Sequence, residues 1–436
     1  MEDNIKKIKY DNLRGEFSVD GDKSISHRAI MIGSIAEGIT EIKGFLKGED
    51  CISTIRCFRE LGIKIEEDGD VIKVYGKGLG GLGKPVNRLD VGNSGTTMRL
   101  ISGILVAQSF SSTITGDSSI QKRPMQRIID PLTKMGADIS SLNNDGKAPL
   151  IIKSARKNLN SINYIMPVAS AQVKSAIILA SLYASAPTQI TEKFQTRNHT
   201  ELMLKSFGAD VQVSDDNKAI FVNPPKRLTA QKIDICGDIS SASFFIAGAL
   251  ITPNSHIIIK NVGINKTRTG FLDVLISMGA DLNLIYNNNN NSFEPSCDIE
   301  VKYSSLNACE IGGSTIPLMI DEIPLFALVA SFANGVSIVK NAEELKFKES
   351  NRLSTTAMEL NKIGASIIET SDGLIINGSP SKELLGGACE SYHDHRIAMM
   401  LVIASLRSSS PIELHNHNCI NISFPNFFDI LEELNN

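Results

Sequence analysis

The chain has 436 residues and a mass of 47.3 kDa, a length that predicts about two to four domains. Hydrophobic residues make up 42% of the sequence and charged residues 21%, which excludes disorder, collagen and coiled coil as the main architecture. The formal net charge of −4, the absence of tryptophan and the 6% aromatic content argue against a nucleic-acid partner.

The sequence also indicates a cytoplasmic protein. Seven cysteines without a CxxC pair are typical of reduced thiols, and not of a disulfide framework or a zinc site. The first ten residues are charged and lack the apolar segment of a signal peptide. The apolar stretch 176–186 is too short to span a bilayer and predicts a buried helix, so we expect no membrane partner.

A repeat organises the chain. Five amphipathic helical patterns end at glycines 71 to 85 residues apart, where glycine predicts a left-handed helix end, at Gly62, Gly136, Gly208, Gly279 and Gly364. Six more apolar helices alternate with them and are predicted to begin near Ser24, Asn93, Ser170, Asp238, Asp321 and Asp394. Six α/β units of this kind form either a solenoid or two domains of three units each, with a boundary near 236–238.

Short β-branched segments bounded by turns predict the strands between these helices. They lie at 41–45, 71–76, 112–117, 149–155, 219–224, 256–262, 336–341 and 373–378. Gly76, Gly78 and Gly81 match GxGxxG, but no helical pattern follows them, so we interpret the segment as a turn. The run Asn287–Asn291 predicts a solvated hairpin tip.

Helix starts in the first half of the chain carry cations and hydroxyls. The segment GDKSISHRA (21–29) brings Lys23, Ser24 and Arg28 to a helix N-terminus, which favours either an anion site or a solvated basic turn. In GNSGTTMR (92–99), Gly95 allows close approach of a phosphate or carboxylate, although a plain capping loop fits equally well. Arg123 precedes Pro124 at a predicted helix start and offers a planar fork to an anion.

Two later segments of this half continue the pattern. In SAQVKSA (170–176), polar side chains at the mouth of an apolar helix predict ligand hydrogen bonds from Ser170, Gln172 and Lys174, although capping explains Ser170 as well. In TRNHTE (196–201), Arg197 precedes a helix capped by residue 198 or 200, and we expect His199 to be exposed.

The second half has more acid–base character. Asp321 opens DEIP (321–324), and KFKESNR (346–352) places Lys348 and Arg352 four residues apart, on one face if the segment is helical. Glu349 beside them is a candidate for proton transfer, the alternative being a capped helix with solvated charges. YHDHR (392–396) ends in Arg396; its HDH triplet resembles a metal cluster, but no further ligand set has suitable spacing.

Together, these helix starts predict one cleft that binds multiply anionic small molecules. The motifs GDKSISHRA, GNSGTTMRL, KRPM, SAQVKSA, DEIP, KESNR and DHRIAM stand in the order found in one family and span residues 20–430. On these motifs the chain resembles the 5-enolpyruvylshikimate-3-phosphate (EPSP) synthases, the 3-phosphoshikimate 1-carboxyvinyltransferases.

The resemblance implies a fold, substrates and a cellular location. The fold is a two-domain inside-out α/β barrel, the enolpyruvyl transferase fold, with six βαβαββ repeats, three per domain. One domain joins 1–20 to 237–436, the other is 21–236, and the active site lies in the cleft between them. Phosphoenolpyruvate and shikimate 3-phosphate are the implied substrates of a cytoplasmic monomer in the shikimate pathway of aromatic amino acid biosynthesis, without metal, cofactor or nucleic acid.

The resemblance also assigns roles to individual residues. Catalysis is assigned to Asp321, Glu349 and Lys23. Shikimate 3-phosphate binding is assigned to Lys23, Ser24, Arg28, Ser170, Ala171, Gln172, Arg197, Asp321 and Lys348. Phosphoenolpyruvate binding is assigned to Lys23, Gly95, Arg123, Gln172, Arg352 and Arg396.

One departure and two alternatives accompany these assignments. Many family members have lysine where this chain has Ile422, which puts one phosphoenolpyruvate contact in doubt. The sister enzyme UDP-N-acetylglucosamine 1-carboxyvinyltransferase has asparagine after the first lysine and a cysteine in a mobile loop, whereas here Ser24 follows Lys23 and loop 110–124 lacks cysteine. A non-catalytic repeat scaffold would instead have solvated helix starts and no need of Asp321 or Glu349.

Overall fold

The computed structural model describes residues 5–155, 157–286 and 293–435, which form a mixed α/β structure. These residues divide into two compact units. Unit 1 contains 5–20, 236–286 and 295–435, and unit 2 contains 21–155, 157–235 and 293–294. The hairpin tip predicted at Asn287–Asn291 lies outside the described residues.

The helices of the described residues alternate with strands along the chain. They are α1 (Lys23–Ile35), α2 (Glu49–Glu60), α3 (Gly95–Leu105), α4 (Gln126–Lys134), α5 (Ala171–Ser181), α6 (His199–Ser206), α7 (Ile239–Ile251), α8 (Gly270–Ser277), α9 (Ile316–Met319), α10 (Ile323–Ala330), α11 (Arg352–Lys362), α12 (His395–Ala404) and α13 (Phe427–Leu434).

The strands are short, and every one of the eight predicted strand segments overlaps one of them. They are β1 (Ile5–Ile8), β2 (Arg14–Ser18), β3 (Glu37–Lys43), β4 (Lys64–Asp68), β5 (Val71–Lys77), β6 (Leu89–Asp90), β7 (Ser112–Thr115), β8 (Ile139–Ser141), β9 (Leu150–Ile152), β10 (Asn163–Ile165), β11 (Thr188–Thr191), β12 (Val211–Val213), β13 (Ala219–Val222), β14 (Lys232–Asp234), β15 (His256–Gly263), β16 (Leu282–Ile285), β17 (Ser296–Lys302), β18 (Glu310–Ile311), β19 (Gly335–Val339), β20 (Ile367–Glu369), β21 (Leu374–Gly378), β22 (Gly387–Glu390) and β23 (Ile412–His415).

Each unit contains three sheets, and five of the six sheets share one strand order. In β14-β3-β5-β4, the first pair is parallel and the other two pairs are antiparallel. The same scheme holds in β6-β7-β9-β8 and β10-β11-β13-β12 of unit 2, and in β2-β15-β17-β16 and β18-β19-β21-β20 of unit 1. The sixth sheet has three described strands, β22 parallel to β23 and β1 antiparallel to it.

The glycine prediction is confirmed. Gly62, Gly136, Gly208, Gly279 and Gly364 follow helices with φ between 81° and 100°, a conformation that a side chain disfavours. The GxGxxG match is a strand end followed by a turn, as predicted, because β5 ends at Lys77 and the next helix along the chain begins only at Gly95.

The core of each unit is built on apolar helices. In unit 1, α7, α10 and α12 pack against one another, and all thirteen residues of α7 are buried. In unit 2, α3 packs against both α1 and α5. A helix that is apolar all round must be covered on every side, which explains why these helices are buried in their units and why polar residues collect at their ends.

Within the described residues, no single helix is both long and apolar enough to cross a membrane. Only one bent pair of helical segments, Gly313–Met319 with Ile323–Ala330, passes that test of length and composition when combined. All seven cysteines are free thiols; six are buried, and Cys309 is half-buried.

Candidate active site

The first helix of unit 2 begins as the sequence predicts, with one change of cap. The residue that caps α1 is Asp22, whose carboxylate accepts a hydrogen bond from the amide of Ile25 at 2.9 Å. Lys23 opens the helix, and its ammonium forms an ion pair with the buried Asp50 of α2. Lys23 is therefore held at the helix N-terminus by a specific carboxylate and is not part of a solvated basic turn.

Arg28 lies one turn further along α1 and is 3% exposed. Its Nε donates to Oγ1 of Thr200 at 2.7 Å, its Nη2 to Oγ of Ser175 at 2.8 Å, and its Nη1 to the carbonyl of Ser24 at 2.8 Å. These partners are neutral, so burial lowers the pKa of Arg28 to about 10 despite the attraction of nearby carboxylates. The contacts orient the guanidinium but do not cancel its charge.

Gly95 lies against two guanidinium groups at the start of α3. A Cβ atom at this position would stand 3.0 Å from Nη1 of Arg99 and 3.1 Å from Nη1 of Arg123. Arg123 donates from Nη2 to Asn93 at 2.9 Å, and Arg99 is hydrogen-bonded to Gln172 of α5. The absent side chain thus leaves backbone next to two planar cations, an arrangement suited to a carboxylate or phosphate.

One detail of this region differs from the prediction, and a second matches an alternative that the sequence left open. Arg123 does not stand at a helix start, because it follows a 3₁₀ turn over Ile120–Lys122, and α4 begins only at Gln126. At the start of α5, Ser170 is the cap, accepting from the amide of Val173 at 3.4 Å. The neighbouring Ala171 is half-buried and is the first residue of that helix.

Gln172 joins α5 to α3. Its Nε2 donates to the hydroxyl of Thr96 at 3.0 Å, and its Oε1 accepts from Arg99. The resemblance assigns Gln172 to ligand binding but gives Arg99 no role, although the MR pair that ends GNSGTTMR places a cation one turn after Gly95.

The expectation that Lys174 bonds a ligand is wrong. Its side chain is 1% exposed, and its ammonium contacts Glu192 at 2.9 Å and Glu201 at 2.8 Å. Burial alone would lower the pKa of Lys174, but the two carboxylates outweigh burial and raise it. The two buried carboxylates explain why Lys174 is buried. They lie 18 and 27 residues away from it in the sequence.

The expectation that His199 is exposed is also wrong. The residue is 1% exposed, and its Nδ1 lies 2.6 Å from Oε1 of Glu294, which is also buried. Residues 293–294 belong to unit 2, although unit 1 strands flank them in sequence. Arg197, two residues earlier, is half-buried just before α6, which Asn198 precedes as the cap position.

In unit 1, Arg352 is the centre of a cluster of carboxylates. It is 2% exposed, and it contacts Asp394 through Nε at 2.8 Å, Asp321 through Nη1 at 3.1 Å and Glu349 through Nη2 at 2.6 Å. Burial alone would lower the pKa of Arg352, but the three carboxylates, led by Asp394, outweigh it and raise that pKa. The guanidinium is permanently charged and holds the three carboxylates close together.

Lys348 shares this cluster, since its ammonium lies 3.1 Å from the same Oδ1 of Asp321 that Arg352 contacts. The reason differs from the prediction. The segment is not one helix: a 3₁₀ turn ends at Phe347, residues 349–351 are irregular, and α11 begins at Arg352. The shared partner Asp321, and not a helical spacing, brings the two cations to one point.

The start of α12 completes the described part of this site. Asp394 caps the helix by accepting from the amide of Arg396 at 2.9 Å, and Nη1 of Arg396 lies 3.9 Å from the buried Glu322. His395 is 3% exposed. Ile422 is half-buried and packs against the apolar core of unit 1, as its side chain requires.

Two further observations concern the acidic side chains of both units. Among the described residues, no group of three or more His, Cys, Asp or Glu side chains is arranged to hold a metal ion. Asp50 pairs with Lys23 and Asp394 pairs with Arg352, but the resemblance assigns no role to either carboxylate. Their closeness to helix starts is the one signal of them in the sequence. The assigned side chains of each unit therefore meet carboxylates and hydroxyls that fix their geometry.

Comparison with known proteins identifies the family. The family model described as EPSP synthase (3-phosphoshikimate 1-carboxyvinyltransferase) matches residues 8–431. The chain belongs to the EPSP synthase family. A relative named 3-phosphoshikimate 1-carboxyvinyltransferase, from Thermoanaerobacter sp. (strain X514), is 52% identical over 434 residues and covers 100% of both chains. The Bacillus subtilis (strain 168) relative of the same name is 48% identical over 431 residues, 99% of each chain.

Solved structures agree with this membership. The EPSP synthase of Acinetobacter baumannii has a TM-score of 0.87 and 42% sequence identity, and the alignment covers 99% of this chain and 98% of that chain. The enolpyruvyl transferase NikO from Streptomyces tendae has a TM-score of 0.79 at 14% identity, with the same coverage. At that identity the likeness concerns the fold alone, which is the α/β enolpyruvyl transferase fold.

Proposed function

We propose that this EPSP synthase family member transfers the enolpyruvyl group of phosphoenolpyruvate to the 5-hydroxyl of shikimate 3-phosphate and releases phosphate, as a 3-phosphoshikimate 1-carboxyvinyltransferase of the shikimate pathway. Family membership over residues 8–431 supports this activity. The observation that carries it in the structure is the cluster in which Arg352 holds Asp321 and Glu349 together, because the reaction needs a base and an acid.

The chemistry proceeds by addition and elimination. Glu349 donates a proton to the methylene carbon of phosphoenolpyruvate while the 5-hydroxyl adds to the neighbouring carbon and Asp321 accepts the hydroxyl proton. Glu349, now a carboxylate, then takes a proton from the new methyl group, the electrons of that C–H bond restore the double bond, and phosphate leaves the tetrahedral intermediate with the electrons of its C–O bond. The step uses groups that the protein supplies and requires no metal or organic cofactor.

The cations position and stabilise the anionic groups of both substrates. Shikimate 3-phosphate binds to Ser24, Arg28, Ser170, Ala171, Gln172, Arg197, Asp321 and Lys348. Phosphoenolpyruvate binds to Gly95, Arg123, Gln172, Arg352 and Arg396. Lys23 serves both substrates and the reaction. The two guanidiniums beside Gly95 support the second set, since planar cations bind carboxylate and phosphate in a bidentate manner.

We further propose that the six sheets are six βαβαββ repeats, three per unit, arranged as inside-out α/β barrels, and that the protein acts as a cytoplasmic monomer. The shared strand order of five sheets supports the repeats. The two units would correspond to domains 1–20 with 237–436 and 21–236, with both contributing residues to one pair of substrates.

Phosphate release tests the proposed reaction. The purified chain is incubated with phosphoenolpyruvate, with and without shikimate 3-phosphate, and phosphate is measured by a coupled assay. We expect release only with both substrates, because the 5-hydroxyl is the acceptor. Absence of turnover with both would refute the proposed function, and equal release without shikimate 3-phosphate would indicate a simple phosphatase.

A further inference from the structure

Helix α6 begins with three consecutive buried polar residues, each bound to a different partner. His199 contacts Glu294 at 2.6 Å, Thr200 accepts from Nε of Arg28 at 2.7 Å, and Glu201 contacts Lys174 at 2.8 Å. Partners on several segments thus fix the start of this helix. Of the three, Thr200 bonds Arg28, a residue that we assign to shikimate 3-phosphate.

Lys174 contacts the chain on both sides of Thr200. Its ammonium donates to the carbonyl of Thr196 at 3.1 Å, directly before Arg197, and it pairs with Glu201, directly after Thr200. The buried ammonium of Lys174 therefore holds both ends of the segment 196–201, which contains Arg197 and the hydroxyl of Thr200 that accepts from Arg28. Since the side chain is 1% exposed, it does not reach a bound ligand itself.

The cluster of Lys174, Glu192 and Glu201 is poorly explained as a device for stability. Buried ion pairs often contribute less than apolar residues of the same volume, because desolvation offsets the attraction. Among the described residues, Oε2 of Glu201 is buried and has no hydrogen-bond partner, a further cost. Directional contacts to a carbonyl and two carboxylates, however, define positions more sharply than apolar packing does.

We infer that Lys174 is a positioning residue for shikimate 3-phosphate: with Glu192 and Glu201 it sets the segment 196–201, so that Arg197 and the Thr200 acceptor of Arg28 are in place when this substrate binds. The inference rests on the proposed function. Neither Arg28 nor Arg197 is assigned to phosphoenolpyruvate, so a loss of this positioning affects the binding of shikimate 3-phosphate and not that of phosphoenolpyruvate.

The test removes all three charges together. The variant Lys174→Met/Glu192→Gln/Glu201→Gln keeps the volumes and leaves no buried charge without a partner. We expect the KM for shikimate 3-phosphate to rise about tenfold, since small displacements of binding groups are costly, while kcat and the KM for phosphoenolpyruvate change less than about twofold. The control is Lys153→Met/Asp138→Asn, which neutralises an exposed pair of the same unit.

A second variant makes the test independent of the buried charges. Thr200→Val keeps the shape but removes the hydroxyl that accepts from Arg28, and it should raise the same KM selectively. Unchanged KM values in both variants, or an equal rise for both substrates, would overturn the positioning role. Wild-type protein without turnover would overturn the proposed function as well, whereas an active wild type with unaffected variants would overturn only this inference.

Discussion

The most buried assigned arginines of the two units differ in their partners. Arg28 in unit 2 is 3% exposed and donates to two hydroxyls and a carbonyl, whereas Arg352 in unit 1 is 2% exposed and contacts three carboxylates. Their pKa values move in opposite directions from the ordinary value, because neutral partners do not repay the desolvation of a guanidinium and carboxylates do.

This difference in partners suits the two guanidinium groups to different roles. A guanidinium with neutral partners keeps its attraction for an anion, so Arg28 is suited to binding. A guanidinium with several carboxylates instead holds those carboxylates together. In our proposal Arg352 therefore keeps Asp321 and Glu349 close together for proton transfer, in addition to its contact with phosphoenolpyruvate. The positive charge of a site is therefore not a simple sum of its lysines and arginines.

The most severe test of this division is Glu349→Gln. Glutamine keeps the shape and an oxygen that accepts from Arg352, but it does not donate a proton as a carboxylic acid does, so kcat should fall by about 10²- to 10⁴-fold. The KM of each substrate should change little. Steady-state kinetics on the wild type, this variant and the nearby control Glu343→Gln measure the effect; wild-type turnover in the variant would remove Glu349 from the mechanism.

A pair of variants compares the two arginines directly. Arg352→Met leaves three carboxylates without their shared cation and should lower the free energy of unfolding by about 3–5 kcal/mol. Arg28→Met removes a cation whose burial is itself unfavourable, so the free energy of unfolding should change by only about 1 kcal/mol. Urea unfolding of both variants measures these values, and equal losses would contradict the distinction.

A smaller effect is expected from Gly95→Ala. The new Cβ would stand 3.0 and 3.1 Å from the Nη1 atoms of Arg99 and Arg123, and one of these must move. The KM for phosphoenolpyruvate should rise about tenfold, because a displaced binding group weakens the contact, while that for shikimate 3-phosphate stays constant. Gly80→Ala is the control, since its Cβ meets nothing within 4 Å. An unchanged KM for phosphoenolpyruvate would separate Gly95 from that substrate.

The sequence predicted the local features of the fold well. The conformation of a glycine after an amphipathic helix depends on its neighbours in the sequence alone. All five predicted left-handed helix ends are therefore confirmed. The starts of α5, α7 and α12 were predicted at their capping residues for the same reason, since a cap bonds amides two or three residues away.

Features that depend on distant residues were not predictable in this way. His199 is buried because Glu294, 95 residues later, supplies a partner, and no local signal distinguishes it from an exposed histidine. Arg28 finds Thr200 after 172 residues. Lys348 and Arg352 meet through Asp321 and not through a helix, so their spacing pointed to the right neighbours for the wrong reason.

The smallest effect, no loss of activity, is expected from thiol alkylation. Burial raises the pKa of Cys57 in unit 2, and of Cys389 and Cys419 in unit 1, to about 12, so almost no thiolate is present at pH 8. Iodoacetamide should leave the native enzyme active and label all seven cysteines only after unfolding. Rapid inactivation with one equivalent of reagent bound per chain would instead reveal a functional thiol. The proposed site would then need a thiol in addition to its cations and carboxylates.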